Sequence, residues 1–222
     1  NQQTWTSTEL SVFDFLMTGS IGDIDIASGL QFRDESFDVA RGASSIAQFD
    51  AAGNITQPAD LLFLGGGLES TASRNATALF IEGSMNPSDR LEVKGALRYE
   101  DLESDSSVDP KIAFRYQASD ELALRASFST SFREASLAQL TSTNISLQGI
   151  QDYNADGSAK GGTAFIRIAQ ANNPNLEPEE SENMNIGAMW NPTDKLSMKL
   201  DYWAIDYTNV ITIESAQGKV AA

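Results

Sequence analysis

Asp152-Tyr153-Asn154-Ala155-Asp156-Gly157 is the stretch whose spacing comes nearest to a ligand set. Oxygen-bearing side chains at alternate positions, followed by a glycine that allows a sharp turn, match the first half of a calcium loop. The twelfth position, where a bidentate glutamate is needed, is Thr163, and no helical pattern flanks the segment. Asp152, Asn154 and Asp156 are therefore a weak calcium candidate, set against the plain reading that Asp, Asn and Gly make loops. The run Glu177, Glu179, Glu180 and Glu182 reads as the solvated entry to a strand and not as a metal site. The chain contains no histidine and no cysteine. That excludes Ser-His and Cys-His catalysis, thiolate zinc, disulfides and an imidazole switch. No pair of carboxylates stands out for acid–base work, so no catalytic residue and no cofactor is expected. The remaining chemistry is charge: Lys94, Arg98, Lys111, Arg115, Arg125 and Lys199 each stand opposite apolar residues in an alternating pattern, with Glu92, Glu100 and Asp201 among them.

That alternation defines the elements that must carry them. Leu91, Val93, Gly95, Leu97 and Tyr99 interleave with Glu92, Lys94, Ala96, Arg98 and Glu100. Successive strand side chains point to opposite faces, so this is a strand with one apolar and one charged side. The same reading applies to Ile24–Arg33, Lys111–Tyr116, Leu122–Ser129, Asn183–Trp190 and Leu196–Trp203, with weaker strands at Leu10–Thr18 and Thr77–Met85. The expected fold is all-β, an antiparallel up-and-down meander of about eight strands.

Asn86-Pro87-Ser88-Asp89-Arg90-Leu91 recurs as Gln117-Ala118-Ser119-Asp120-Glu121-Leu122 and as Asn191-Pro192-Thr193-Asp194-Lys195-Leu196. Proline fixes φ, and Ser, Thr and Asp side chains accept from nearby backbone N–H groups, so short turns are expected at 86–90, 118–121 and 191–195. The opposite strand ends differ. Long Gly-, Ala-, Ser- and Asp-rich connections are expected at about 37–73 and 133–180, and an acidic one at Asp101–Asp109. Phe165-Ile166-Arg167-Ile168, inside the second, fits either a strand or a helix. Aromatic residues gather at strand ends, at Tyr99, Tyr116, Trp190, Tyr202 and Trp203, where the interfacial girdles of a membrane barrel would lie.

A formal charge of −16 over 222 residues argues against nucleic acid as a partner and against a polybasic membrane anchor. No apolar run approaches the roughly 20 residues of a helical membrane span; Leu61-Leu62-Phe63-Leu64 stops at Gly65-Gly66-Gly67. Asn1-Gln2-Gln3-Thr4 shows no signal-peptide pattern. A membrane barrel would escape these tests, because its strands of roughly 9–11 residues alternate and look hydrophilic on average. By pattern alone, a soluble extracellular β-domain that binds glycan or protein through acidic loops stands beside the membrane barrel.

Asp109-Pro110-Lys111-Ile112-Ala113-Phe114-Arg115-Tyr116, followed by Leu124-Arg125-Ala126-Ser127-Phe128-Ser129-Thr130-Ser131-Phe132-Arg133-Glu134-Ala135, resembles the late barrel strands of TonB-dependent outer-membrane receptors. Asn173-Pro174-Asn175-Leu176-Glu177-Pro178-Glu179 and Leu200-Asp201-Tyr202-Trp203-Ala204-Ile205-Asp206 are similar to the same family. The residues after Phe132-Arg133 depart from it, being Glu134-Ala135 where the family has Ala-Pro. The resemblance implies that residues 1–222 are part of a receptor barrel, a segment of about eight strands from a barrel of about 22 in the Gram-negative outer membrane. No plug domain, energy-coupling box or terminal aromatic strand is recognisable. The implied partners are outer-membrane lipid, the remaining barrel strands, the plug, and the TonB complex acting through that plug. The implied function is energised uptake of a scarce nutrient: an iron chelate, cobalamin or an oligosaccharide. Lys94, Arg98, Lys111, Arg115, Arg125 and Lys199 would then face the lumen, and Leu91, Val93, Leu124 and Met198 the hydrocarbon.

Overall fold

A computed structural model describes residues 3–57, 66–102 and 105–220. Leu61–Leu64 and Gly65 lie outside the described residues. In chain order the strands are β1 (Thr4–Ile21), β2 (Ile24–Arg41), β3 (Gln48–Phe49), β4 (Ile55–Gln57), β5 (Gly66–Gly67), β6 (Ser70–Ser88), β7 (Leu91–Asp101), β8 (Ser106–Gln117), β9 (Leu122–Arg133), β10 (Asn144–Ile150), β11 (Ala164–Gln170), β12 (Glu179–Thr193) and β13 (Leu196–Thr208). Two short helices, α1 (Leu137–Thr141) and α2 (Ala216–Val220), lie outside the sheets.

Eight of these strands form one antiparallel sheet in the order β1-β2-β6-β7-β8-β9-β12-β13. Each strand pairs with the next long one in sequence, so the sheet is an uninterrupted meander. Its two ends differ. At one end, β1 and β2 turn through Gly22-Asp23, where Gly22 takes φ +61°, a left-handed conformation that glycine adopts without steric cost. The three recurring sequences make the other short turns. Pro87 and Pro192 have no N–H to give the ladder, and the register slips there, between Met85 and Ser88 and between Trp190 and Thr193. Past each slip a hydroxyl closes the turn: Ser88 Oγ accepts from Arg90 N and Thr193 Oγ1 from Lys195 N, both at 3.4 Å.

The opposite end carries the long connections, residues 42–69 and 134–178. They are tied to each other. β10 pairs with both β11 and β5, Leu68 N donates to Thr143 O at 3.1 Å, and Ala47 N donates to Gly67 O at 2.9 Å. Buried residues concentrate in this junction: Ser45, Ala47, Ala135, Leu137 and Ile145. Phe165–Ile168 is a strand, part of β11. The acidic connection is shorter than Asp101–Asp109, because β8 already begins at Ser106.

The register gives the sheet two unlike faces. Leu30, Leu79, Tyr99 and Val108 align on one of them, as do Met85, Val93, Phe114, Ala126, Ile186 and Tyr202. This apolar face is left open. Leu124 is 41 %, Met198 50 % and Leu200 76 % exposed, while Leu91 and Val93 are half-buried; Leu91, Val93, Leu124 and Met198 do not meet in a closed centre. β1, β2 and β6 run well past this belt. Their outer positions there are Ser7, Glu9 and Ser11, then Asp34, Ser36 and Asp38, then Ser73 and Asn75. A strand section outside hydrocarbon has no need of an apolar side, so the pattern stops while the ladder continues.

Candidate functional site: the charged face of the sheet

The second face carries the charges. Lys94, Arg98, Lys111, Arg115, Arg125 and Lys199 all lie on it by register. Trp203 lies there too, opposite Asn185, so it cannot share an aromatic girdle with its neighbour Tyr202 on the apolar side. The structure sorts the six cations into two groups.

The first group sits near the long-loop end, around Glu100. This carboxylate is only 2 % exposed. Arg33 donates to its Oε1, and Arg98 Nε donates to its Oε2 at 2.8 Å. Arg33 reaches it from β2 across β6, where Ala76 and Ala78 are buried and small enough to let the guanidinium pass. Arg98 Nη2 also donates to Gln31 Oε1 at 2.8 Å, and Gln31 Nε2 donates to Asp14 Oδ1 at 2.7 Å, linking β7 through β2 to β1. Beside this chain, Arg74 Nε donates to Glu35 Oε2 at 2.8 Å and its Nη1 to Ala135 O at 2.6 Å; Glu134 stands 3.1 Å away. The start of the second long connection is thereby clamped against the sheet. A capping box at Ser136 and Gln139 then starts α1 and buries Leu137 beside it. Burial pushes the Glu134 carboxyl up; Arg74 and Arg33 oppose that shift, and Glu35 and Glu100 add to it. These groups line a cleft of about 820 Å³. Arg74, Glu35 and Glu134 were not legible as site residues, since Arg74 precedes the weak strand at Thr77 and Glu134 follows the last residue of β9.

The second group lies toward the short-turn end. Arg125 binds Asp201 Oδ1 through Nε at 3.0 Å and Nη2 at 2.5 Å. The pair spans β12 directly above Gly187, and a Cβ there would collide with both side chains. Lys94 pairs with Glu92 at 2.8 Å, and Arg115 donates to Gln117 at 2.9 Å. Lys111, which lines the cleft of the first group, and Lys199, near the short turns, make no ion pair or hydrogen bond among the described residues.

Asp152, Asn154 and Asp156 lie in an exposed hairpin within the second long connection. Asp152 faces Lys160 at 3.2 Å, Asp156 Oδ1 accepts from Ser158 N at 2.9 Å, and Asn154 Nδ2 donates to Ser158 Oγ at 2.9 Å. The Lys160 bond holds the Asp152 carboxyl, and bonds from the Ser158 hydroxyl and backbone hold that of Asp156, below the usual carboxylate range. Among the described residues, no group of three or more acidic side chains converges to hold a metal.

A meander with an open apolar face, a charged opposite face and two unlike ends is the wall of an outer-membrane β-barrel. The model of the "TonB dependent receptor-like, beta-barrel" family matches residues 1–221, and the chain belongs to that family. No curated protein matches the chain. Among solved structures, the ferric enterobactin receptor PfeA of Pseudomonas aeruginosa superposes with a TM-score of 0.63 at 17% identity, over 92% of this chain and 27% of that one. The siderophore receptor PirA of Acinetobacter baumannii gives 0.64 at 16%, over 92% and 27%, and the copper transporter OprC 0.60 at 13%, over 92% and 31%. The chain thus spans about a third or less of these three structures. Family members are receptors and transporters of the outer membrane.

Proposed function

We propose that these residues form part of the wall of an outer-membrane receptor that imports a scarce nutrient with energy relayed from the inner membrane. An iron chelate is the class to test first, ahead of cobalamin and oligosaccharide. The observation that carries this reading is the division of one continuous sheet into an apolar and a charged face. The apolar face meets lipid. Lys94, Arg98, Lys111, Arg115, Arg125 and Lys199 face the interior, where they serve plug contact or substrate passage. The reverse arrangement would set these six cations toward hydrocarbon, at about 2–4 kcal/mol each near the bilayer midplane. The work of such a wall is binding and conduction, with no bond made or broken.

The test is uptake of radiolabelled ferric siderophores by cells expressing the full-length receptor. Uptake is expected to need the receptor, TonB and the proton-motive force. Uptake that persists when the receptor is deleted, or that ignores loss of TonB, overturns the proposal.

A further inference from the structure

The described parts of the two long connections share one small core. β10 pairs with β5 at Asn144 with Gly67 and at Ile145 with Gly66, and Ile46 forms a bridge to the same Gly67. Ser45, Ala47, Thr143 and Ile145 are buried there. Thr143 Oγ1 donates to Asn172 Oδ1 at 3.2 Å and Asn172 Nδ2 to Leu140 O at 2.8 Å, which draws the far end of the second connection into the same junction. Neither connection can leave the wall alone without opening this core and breaking its ladder bonds, so the two move as a unit.

Two arginines fasten this unit to the wall, and their partners differ in chemistry. Arg41, at the end of β2, donates through Nε to Leu68 O at 3.1 Å, through Nη2 to Asn144 Oδ1 at 2.7 Å and through Nη1 to Thr4 Oγ1 at 3.3 Å. All three acceptors are uncharged and arginine keeps its proton, so these bonds hold from acid to neutral pH. Arg74, on β6, makes the other attachment. Its Nη1 donates to Ala135 O at 2.6 Å and meets Glu134 at 3.1 Å, while Nε and Nη2 hold Glu35 at 2.8 and 2.7 Å. One guanidinium thus serves two carboxylates, Glu35 of the sheet and Glu134 of the connection. The Glu134 side chain is only 14 % exposed. The charged groups facing it are Arg33 and Glu35 from β2, Arg74 from β6 and Glu100 from β7, while Asp109 and Lys111 of β8 and the adjacent Arg133 line the same cleft. α1, packed on β6 and β2, brings no charge. Arg33 is engaged by Glu100, and Arg133 by Glu179.

An ionised carboxylate kept this far from water loses solvation that a shared cation returns only in part, whereas a neutral carboxyl stays there at little cost. Burial accordingly pushes the Glu134 carboxyl up. The chain has no histidine, so no imidazole of its own competes for a proton in that range. We infer that the two long connections form a single hinged body, jointed to the wall at Arg41 and latched at Arg74 by Glu134, and that the latch closes when Glu134 takes up a proton. Below the ordinary carboxyl value near 4.5 the settled and the lifted body carry the same proton, and the latch is at its tightest. As pH rises through the higher value of the settled state, Glu134 ionises, and the lifted state, in which it is hydrated, gains weight. The long-loop end of the wall therefore carries a cover that is settled in mild acid and looser at and above neutrality, whichever nutrient the receptor takes.

The experiment uses the full-length receptor in native outer-membrane vesicles, with pairs of nitroxides whose separation is read by pulsed electron paramagnetic resonance. One pair joins Ala51→Cys in the first connection to Asp206→Cys on β13; the other joins Gly162→Cys in the second connection to the same β13 site. All three positions are exposed. Both distance distributions should be narrow near pH 4.5 and broaden together, at least about twofold in width, by about pH 8. Glu134→Gln, a neutral isostere, and Glu134→Ala, which removes the carboxyl, should each abolish the pH response at both pairs. Arg41→Ala, which opens the joint, should broaden both pairs at either pH. Widths that do not depend on pH, broadening of one pair alone, or a pH response that survives both Glu134 variants overturns the inference. Unchanged widths with Arg41→Ala overturn the joint. Each of these results leaves the assignment of the two faces of the sheet untouched.

Discussion

The two halves of the charged face solve the same problem in opposite ways. Near the long loops, Glu100 is buried under two arginines, and Arg74 joins Glu35 to the backbone and carboxylate of the overlying connection. Each of these charges has its partner in this chain. Near the short turns the charges stand in solvent, and two arginines oppose each other. The buried cluster ties the second long connection to the sheet; the exposed pairs join only strands of the sheet itself. The difference is one of burial as much as charge, because removing half of a buried pair leaves an uncompensated ion, whereas an exposed pair is replaced by water at little cost.

Mutation should expose that contrast. Glu100→Ala strands Arg33 and Arg98 above buried alanines and should cost about 3–5 kcal/mol, read from denaturant unfolding of the full-length receptor in lipid. A loss under about 1 kcal/mol would place the two halves on the same footing. Gly187→Val is next. The new side chain collides with Arg125 and Asp201, whose part-exposed ends can swing aside, so it should cost what losing the pair costs, about 1 kcal/mol. A loss above about 3 kcal/mol would mean that the pair is held rigidly above Gly187. Arg125→Ala removes the exposed pair without a collision and should cost about 0–1 kcal/mol in the same measurement. A loss as large as that of Glu100→Ala would erase the distinction.

The smallest effect concerns pH. Burial raises the Glu134 carboxyl above its ordinary value near 4.5. Between the ordinary and the raised value the folded chain retains a proton that the unfolded chain has released, so this group's contribution to stability falls as pH rises through that window. The exposed carboxylate Asp50 behaves oppositely. Bonds from the Asn54 side chain and from the Asn54 and Ala52 backbone hold it low, so its contribution is present at neutral pH and lost on acidification. Glu134→Gln should flatten the slope of unfolding free energy just above pH 4.5 and leave the acid limb intact. An unchanged slope would mean that Glu134 is solvated like the charges near the short turns.

Much of this wall was legible before any coordinates. Alternation located the membrane-crossing parts of β7, β8, β9, β12 and β13, because a two-faced sheet must repeat every second residue. The recurring Asn-Pro-Ser/Thr-Asp turns marked one end, since proline and hydroxyl chemistry act locally. The upper parts of β1, β2 and β6 were hidden. Beyond the apolar belt both faces are polar, and Asp34–Arg41 or Ser70–Asn75 looks like loop. The Glu100 cluster was only half visible: Arg98 and Glu100 were evident, but Arg33, Arg74 and Glu134 come from 67, 26 and 34 positions away, and only the register brings them together. Trp203 shows the opposite case, where residue type favours a membrane girdle and strand parity overrules it.

The most direct test of the account places a nitroxide at successive positions of one strand in the full-length receptor. At Leu97 the label should be relaxed by lipid-soluble oxygen, and at Ala96 by a water-soluble nickel chelate, with the same alternation at Phe128 and Ser127. Equal accessibility to both agents at neighbouring positions, or the reverse parity, would contradict the assignment of the apolar face to lipid and the charged face to the interior.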